Sequence, residues 1–288
     1  MLDLITVVFR EELPLLKIQA ESINQYVNPQ DINSITVIVN DTDDVADLID
    51  TAWWKQYQDK VQIKCYSRWN YTSRITGWEN QQICKLLGAA EATSQWSMVL
   101  DAKTWFIQPL NTNLLFDTQG CPKVGYINVM EVFDSSKHFV ERLYNVKLDK
   151  VIGPGGVPFM FHTETVKELV NSIDNFSEFF QTNVKYPNLV TEFHLYSGYI
   201  LSKHGSYESL YNKTQHYSVI NIADWEAKDF NLLFSYLTST NKLTASIHRR
   251  TYKDLTFDQI ARWVNFLKEK HLITDEKETY TTINTYIK

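Results

Sequence analysis

The sequence has no stretch that is dense in lysine and arginine. Its 28 basic residues are outnumbered by 34 acidic ones, which gives a formal net charge of -6. A protein that binds nucleic acid generally needs a basic stripe to neutralise the phosphates. The composition therefore argues against a general nucleic-acid binder.

Cysteine is scarce as well. The three cysteines, Cys65, Cys84 and Cys121, are odd in number and far apart, and they do not have the spacing of a metal site. We interpret them as reduced thiols of a cytoplasmic protein.

Long apolar runs are also lacking, and none is long enough to cross a bilayer. The N-terminal stretch MLDLITVVFREELPLL has no basic region and carries acidic residues inside its apolar run, so we expect no signal peptide. Both absences favour a cytoplasmic location without a transmembrane segment.

What the sequence does contain suits a folded protein with a full core. Its 288 residues fit one large α/β domain or two small ones. Hydrophobic residues make up 44% and charged residues 22%, so the chain is not expected to be disordered.

Strand and helix patterns alternate along the first part of the chain. The runs LITVVF, ITVIV, VQIKCY and SMVLD have the composition of strands, and helical patterns separate them. The helix at residues 77–92 is expected to point Trp78, Ile83 and Leu86 inward. This alternation predicts a doubly wound, Rossmann-like sheet flanked by helices.

The later part of the chain has a looser rhythm. We expect a strand at residues 123–133, a Gly/Pro-rich loop that enters another strand at residues 151–161, and a helix that begins after Thr191. A capping box formed by Thr256 and Gln259 predicts a strong helix start. The organisation expected is one domain at residues 1–250 with a C-terminal helical extension at residues 251–288.

Polar side chains follow the predicted strands where each strand ends. Phe9 and Arg10 end the first strand, Asn40 and Asp41 end the second, and the fourth ends in the triplet Asp101-Ala-Lys103. Ligands of such sheets bind beyond the carboxyl ends of the strands. This edge is therefore the predicted site.

The stretch GWENQQICKLLGAA, a short spacer and WSMVLDAKTWFIQPL together resemble a group of bacterial and phage glycosyltransferases of the GT-A fold. In that group a Gln-Gln-x-x-Lys-Leu helix precedes a strand that ends in Asp-x-Asp. LITVVFRE, VPFMFHTETVKELV, TEFHLYSGY and SIHRR match as well, so the resemblance covers residues 2–250. The resemblance implies a GT-A mixed sheet. It also implies transfer of a sugar from a nucleotide diphosphate donor to an acceptor hydroxyl of a glycan or another molecule. The expected donor is a UDP-sugar.

The resemblance also implies roles for individual residues. Glu192 would be the acid nearest the acceptor, and Asp101 and Lys103 would be the other catalytic candidates. Alternatively, Glu192 only complements the dipole of its helix. The residues expected to bind the donor are Val8, Phe9, Arg10, Asn40, Asp41, Gln82, Lys85, Asp101, Lys103 and His248.

Three further residues are candidates for the acceptor side. Gly155 and Gly156, which prolines flank, form either a mobile acceptor loop or a tight turn. His162 either contacts the acceptor or is a satisfied histidine at the end of a strand.

The sequence departs from the family pattern at Lys103, which replaces the second acid of Asp-x-Asp. The reaction needs positive charge at the leaving diphosphate, and a divalent cation usually supplies it. Either Lys103 takes the place of the metal, or Asp101 and His248 hold Mn²⁺ or Mg²⁺ with water and phosphate as further ligands.

The same substitution leaves a second function open. The chain could be a non-catalytic glycosyltransferase-like protein that binds a nucleotide or a glycan. A nucleotidyltransferase is set aside, because the FREELP segment after the first strand has neither the glycines nor the basic cluster of that class.

Overall fold

The computed structural model describes residues 1–69, 77–153, 157–214, 219–222, 228–239 and 242–287. The strands are β1 (Leu2–Val8), β2 (Ile32–Val39), β3 (Val61–Cys65), β4 (Trp96–Asp101), β5 (Thr104–Phe106), β6 (Lys123–Val124), β7 (Tyr126–Asn128), β8 (Lys150–Ile152), β9 (Phe159–His162), β10 (Asn212–Lys213), β11 (Val219–Ile222) and β12 (Thr244–Ile247). The α-helices are α1 (Leu13–Tyr26), α2 (Gly77–Ala90), α3 (Thr112–Leu115), α4 (Asp134–Tyr144), α5 (Thr163–Asn171), α6 (Phe176–Asn183), α7 (Glu192–His204), α8 (Phe230–Ser239), α9 (Phe257–Glu269) and α10 (Glu276–Ile287).

A five-stranded sheet in the order β3-β2-β1-β4-β9 forms the centre of the molecule. The strands β3, β2, β1 and β4 are parallel, and β9 runs antiparallel to β4. Val8 pairs with Val39 of β2 and Val7 pairs with Asp101 of β4, so these three strands end at the same edge. Every residue of β1 and β4 is buried, as expected for strands covered by helices on both faces.

A second sheet, β11-β12-β5, carries the C-terminal part of the chain. Its core contains Trp105 of β5, Phe230 of α8 and Trp263 of α9, and the rings of Trp105 and Trp263 lie 5.8 Å apart. Leu15 of α1 belongs to the same core, so the C-terminal helices pack against the sheet domain. A domain boundary at residue 250 stays a prediction.

Most of the predicted elements are confirmed. The four predicted strands are β1 to β4, Thr191 caps α7 by accepting from the backbone N–H of His194, and the capping box of Thr256 and Gln259 begins α9. None of the described helices is long and apolar enough to cross a membrane.

The helical pattern between the second and third strands forms two 3-10 helices, Asp43–Leu48 and Thr51–Lys60, the second of which is interrupted at Lys55 with φ of 43°. Two expectations are wrong. Residues 123–133 form two short strands and a 3-10 turn rather than one strand. Trp78 does not point inward: it is 50% exposed, because it lies in the first turn of α2, ahead of Asn80 where the buried part of the helix begins.

Candidate active site

Three side chains from two elements surround Asp101 at the end of β4. The ammonium group of Lys103, in the turn between β4 and β5, lies 2.7 Å from Asp101 Oδ2. The ammonium group of Lys85, from α2, lies 3.0 Å from Asp101 Oδ1, and Gln81 Nε2 donates to the same oxygen at 3.2 Å. Both carboxylate oxygens are therefore held by cations.

Lys85 also contacts the first residue of α7. Its ammonium group lies 3.2 Å from Glu192 Oε1 and 5.5 Å from the centre of the Phe193 ring. Because Lys85 and Glu192 are 5% and 2% exposed, this pair is shielded from water. Lys103, Asp101, Lys85 and Glu192 thus form a buried row of alternating charges, which we call the charge row.

In the charge row, burial and neighbouring charges shift the pKa of each group in opposite directions. Burial disfavours the ionised form of Asp101, but Lys103 and Lys85 outweigh it and hold the pKa of that carboxyl below its usual range. Burial also disfavours the charge of Lys85, yet Asp101 and Glu192 raise the pKa of the lysine above its ordinary value. Burial raises the pKa of Glu192, and Lys85 offsets only part of this effect. Glu192 is therefore the carboxyl of the row that accepts a proton most readily.

Buried hydrogen bonds fix the turn that carries Lys103. Gln19 of α1 donates from Nε2 to the carbonyl oxygens of Asp101, at 2.7 Å, and Thr104, at 2.9 Å. Thr6 of β1 donates to Gln19 Oε1 at 2.7 Å. One glutamine thereby ties the β4–β5 turn to β1 and α1.

The start of α7 is fixed against α2 in a similar way. The backbone N–H of Glu192 donates to Gln82 Oε1 at 3.2 Å. The backbone N–H of Thr191 and Nδ1 of His194 both contact Ser136 Oγ. These contacts hold the Glu192 carboxylate at the edge of the sheet.

The ends of β1 and β2 supply a second polar group of residues. The backbone N–H of Arg10 donates to Asp41 Oδ2 at 3.0 Å, and the Arg10 guanidinium pairs with Asp44. Asn40 donates to the carbonyl oxygen of Gly77 at 2.7 Å, which joins the end of β2 to the start of α2. Val8 is fully buried in the core, and its role at the donor stays a prediction.

The segment after β12 reaches the same edge. The guanidinium of Arg249 lies 5.0 Å from the centre of the Phe9 ring. His248 precedes it, and its Nδ1 accepts from the backbone N–H of Arg250 at 3.3 Å. Arg249 and the end of β1 are therefore neighbours, and the donor-binding roles of Phe9 and His248 stay predictions.

The sequence profile of a family of unknown function, DUF6492, matches residues 6–231. The chain belongs to this family. No curated protein matches the chain.

Solved structures show which fold this DUF6492 chain adopts. The crystal structure of the galactosyltransferase LgtC in complex with donor and acceptor sugar analogs is similar over 98% of this chain and 100% of LgtC, with a TM-score of 0.50 and 10% identity. An active-site mutant of LgtC gives a TM-score of 0.49 with the same coverage and identity. The bifunctional glycosyltransferase WbbM gives 0.46 at 10% identity, over 92% of this chain and 49% of WbbM. The predicted GT-A fold is confirmed.

The residues present do not fit a divalent metal at Asp101. A cation there would have to displace two lysine ammonium groups from the carboxylate. Within the described ranges, no group of three or more His, Cys, Asp and Glu side chains is placed to hold a metal. A site formed by Asp101 and His248 stays a prediction that this donor set does not support.

His162, one of the predicted acceptor residues, is not brought to the charge row. His162 pairs with Trp96 at the start of β4, five residues from Asp101 and so roughly 17 Å away along the strand. Its ring lies 4.9 Å from that of Trp96, and its Nδ1 contacts Thr165 Oγ1. Gly155 and Gly156 lie outside the described residues.

Sequence reasoning missed Glu12, which follows β1. Glu12 is 2% exposed, and its Oε2 has no hydrogen-bond partner among the described residues. Burial raises its pKa to about 6, and the attraction of Lys103 offsets part of this rise. The sequence did contain a signal for Glu12, because an acidic residue follows soon after a strand that ends at the predicted edge.

Proposed function

We propose that this DUF6492 chain is a glycosyltransferase that uses a nucleotide diphosphate sugar, with a UDP-sugar as the expected donor. The charge row at the carboxyl edge of a GT-A sheet is the observation that carries the proposal. Two buried lysines there are aimed at one carboxylate, at 2.7 Å and 3.0 Å. Perturbed charges that converge in this way are typical of functional sites.

The lysines would supply the positive charge that the leaving group requires. As the bond between the sugar C1 and the bridging oxygen breaks, negative charge develops on the diphosphate. Lys103 and Lys85 would exchange Asp101 for phosphate oxygens, because charge-assisted hydrogen bonds from ammonium groups suit both. Lys103 would then take the place that a metal has in Asp-x-Asp enzymes.

Glu192 would act on the acceptor. In an inverting reaction its carboxylate takes the proton of the acceptor hydroxyl while the hydroxyl oxygen attacks C1. Burial, which raises the pKa of Glu192, makes it a stronger base than an exposed carboxylate. Phe9, Arg10, Asn40 and Asp41 would bind the nucleoside at the ends of β1 and β2.

Calorimetry with UDP and UDP-sugars, in EDTA and again with Mn²⁺, tests the proposal. We expect binding in EDTA that Lys103→Ala weakens at least about tenfold, since a lost charge-assisted contact costs about 1.5–3 kcal/mol. Lys17→Met, at a surface ion pair with Glu278, is the matched control and should bind like wild type. If no nucleotide diphosphate binds at millimolar concentration, the proposal is wrong.

One observation favours the non-catalytic alternative. The carboxylate oxygens of Asp101 are already satisfied by cations, so the row is stable without a substrate. A binding protein would hold the nucleotide sugar and leave it intact. Release of free UDP over time, measured with wild type and Glu192→Gln side by side, separates the two functions.

A further inference from the structure

Four residues of α2 share one face of the helix. Trp78, Gln81, Gln82 and Lys85 stand at positions i, i+3, i+4 and i+7, which lie above one another in an α-helix. Three of them contact the site: Gln81 and Lys85 contact Asp101, and Gln82 contacts the backbone of Glu192. The fourth, Trp78, therefore stands over the same site, one helical turn closer to the N-terminus of α2.

Exposure decreases along this face toward the charge row. Trp78 is 50% exposed, whereas Gln82 and Lys85 are 1% and 5% exposed. The helix period and this gradient of exposure together indicate an indole at the mouth of the site, on the side where Gln82 meets the start of α7. An exposed Trp offers a flat apolar surface that can cover one face of a sugar ring.

Gln82 gives an independent indication of a ligand. Because its Oε1 accepts from the Glu192 N–H, the orientation of the amide is defined and Nε2 carries the two free donors. Nε2 is buried and has no hydrogen-bond partner among the described residues. A buried donor without a partner is unfavourable, and a bound hydroxyl would satisfy it.

We propose that Trp78 and Gln82 form the subsite for the acceptor, rather than Gln82 binding the donor as the resemblance implies, and that the acceptor presents a pyranose ring. The ring packs its C–H face on the indole and accepts a hydrogen bond from Gln82 Nε2. This places a sugar hydroxyl beside Glu192. The inference rests on the proposed function and narrows the acceptor of that reaction to a carbohydrate.

Simple glycosides test the subsite directly. We would titrate ¹⁵N-labelled protein with methyl α-glucopyranoside, methyl β-galactopyranoside and N-acetylglucosamine to about 100 mM, because one ring contact and one hydrogen bond support only millimolar affinity. At least one glycoside should shift the indole N–H signal of Trp78 saturably, with glycerol as the polyol control. Trp78→Phe assigns that signal by its loss.

Saturation-transfer NMR, observed on the glycoside, then compares the affinity of variants with that of wild type. We expect Trp78→Ala and Gln82→Leu to weaken binding at least about fivefold, or about 1 kcal/mol. Trp53→Phe, a half-buried Trp elsewhere on the surface, should bind like wild type. UDP calorimetry on Trp78→Ala should match wild type as well.

Each outcome distinguishes this inference from the proposed function. If UDP binds but no glycoside shifts Trp78, or if Trp78→Ala binds the glycosides as tightly as wild type, the subsite is wrong and the proposed function stands. If UDP alone shifts the Trp78 signal, the indole covers the nucleobase and the inference is overturned. If a glycoside shifts Trp78 but UDP never binds, the sugar site stands and the proposed transfer fails.

Discussion

Replacing Lys85 by Met removes the cation that two buried carboxylates share. Breaking a buried ion pair by removing one partner typically costs about 3–5 kcal/mol. Asp101 keeps Lys103 at 2.7 Å, so only Glu192 is left without a cation. We therefore expect Lys85→Met to lower the free energy of unfolding by about 3 kcal/mol, the lower end of that range.

The loss should depend on pH in a defined direction. The folded-state pKa of Glu192 is already raised by burial, and without Lys85 it rises further. A group with a raised folded-state pKa stabilises the fold below its unfolded pKa of about 4.3, and this stability is lost as pH rises through the folded pKa. The difference between wild type and variant should therefore be larger at high pH than at low pH.

Urea denaturation at pH 5 and pH 8 measures both effects. Glu192→Gln in the Lys85→Met background should restore part of the loss, with an interaction energy of about 1–3 kcal/mol between the two sites. Lys17→Met, at an exposed pair 2.8 Å from Glu278, should cost no more than about 1 kcal/mol. A loss in Lys85→Met equal to that control, or one that shrinks toward pH 8, would refute the reasoning.

Three further variants examine other features of the structure. Lys103→Asp should lose UDP binding in EDTA and regain it with Mn²⁺, which calorimetry measures. If neither the substitution nor Mn²⁺ alters the affinity for UDP, Lys103 does not replace a metal. Burial raises the pKa of Glu12 to about 6, so ionised Glu12 destabilises the fold by about 2 kcal/mol as pH rises from 4.5 through 6, and Glu12→Gln should remove this loss. Urea denaturation across that pH range measures it. If Glu12 were solvated, the unfolding free energy of wild type and variant would depend on pH in the same way. Thr256→Ala should lower the unfolding free energy by about 1 kcal/mol through loss of the capping box, measured by thermal or urea unfolding; no change would mean that the cap is not formed in solution.

The features that sequence reasoning predicted are those encoded locally. Each of the four strands is a short apolar run, and their common carboxyl edge follows from a parallel sheet. Asp101 and Lys103 lie two residues apart at a strand end, so their proximity is local as well. The resemblance assigns Lys85 and Glu192 to the site, but it does not predict their contact, because 107 positions separate them in the chain.

Features that depend on distant packing were missed. Gln19 is an ordinary helix residue in the sequence, and only the docking of α1 on β4 gives it the carbonyl oxygens of Asp101 and Thr104. The apolar character of Trp78 predicts a core position, but the residue lies in the first turn of α2, ahead of the buried part of the helix, and is 50% exposed. How far the packing against α2 extends toward its N-terminus is not encoded in the local pattern.

Asp101 allows a decisive comparison between lysine and metal at the diphosphate. If Asp101 holds a metal ion, Asp101→Asn removes a charged ligand and nucleotide affinity falls. If Lys103 and Lys85 bind the diphosphate, Asp101 competes with phosphate for the same two ammonium groups. Its neutralisation then frees positive charge for the ligand, and the asparagine keeps the shape of the side chain.

We therefore expect Asp101→Asn to bind UDP in EDTA at least as tightly as wild type, and up to about tenfold more tightly if about 1.4 kcal/mol of competition is relieved. Asp149→Asn is the matched control, because Asp149 pairs with Lys147 at the surface and neither residue belongs to the proposed site. Calorimetry on both variants, with and without Mn²⁺, separates the two mechanisms. Weaker binding of UDP by Asp101→Asn than by the control would show that this carboxylate serves the ligand rather than competes with it.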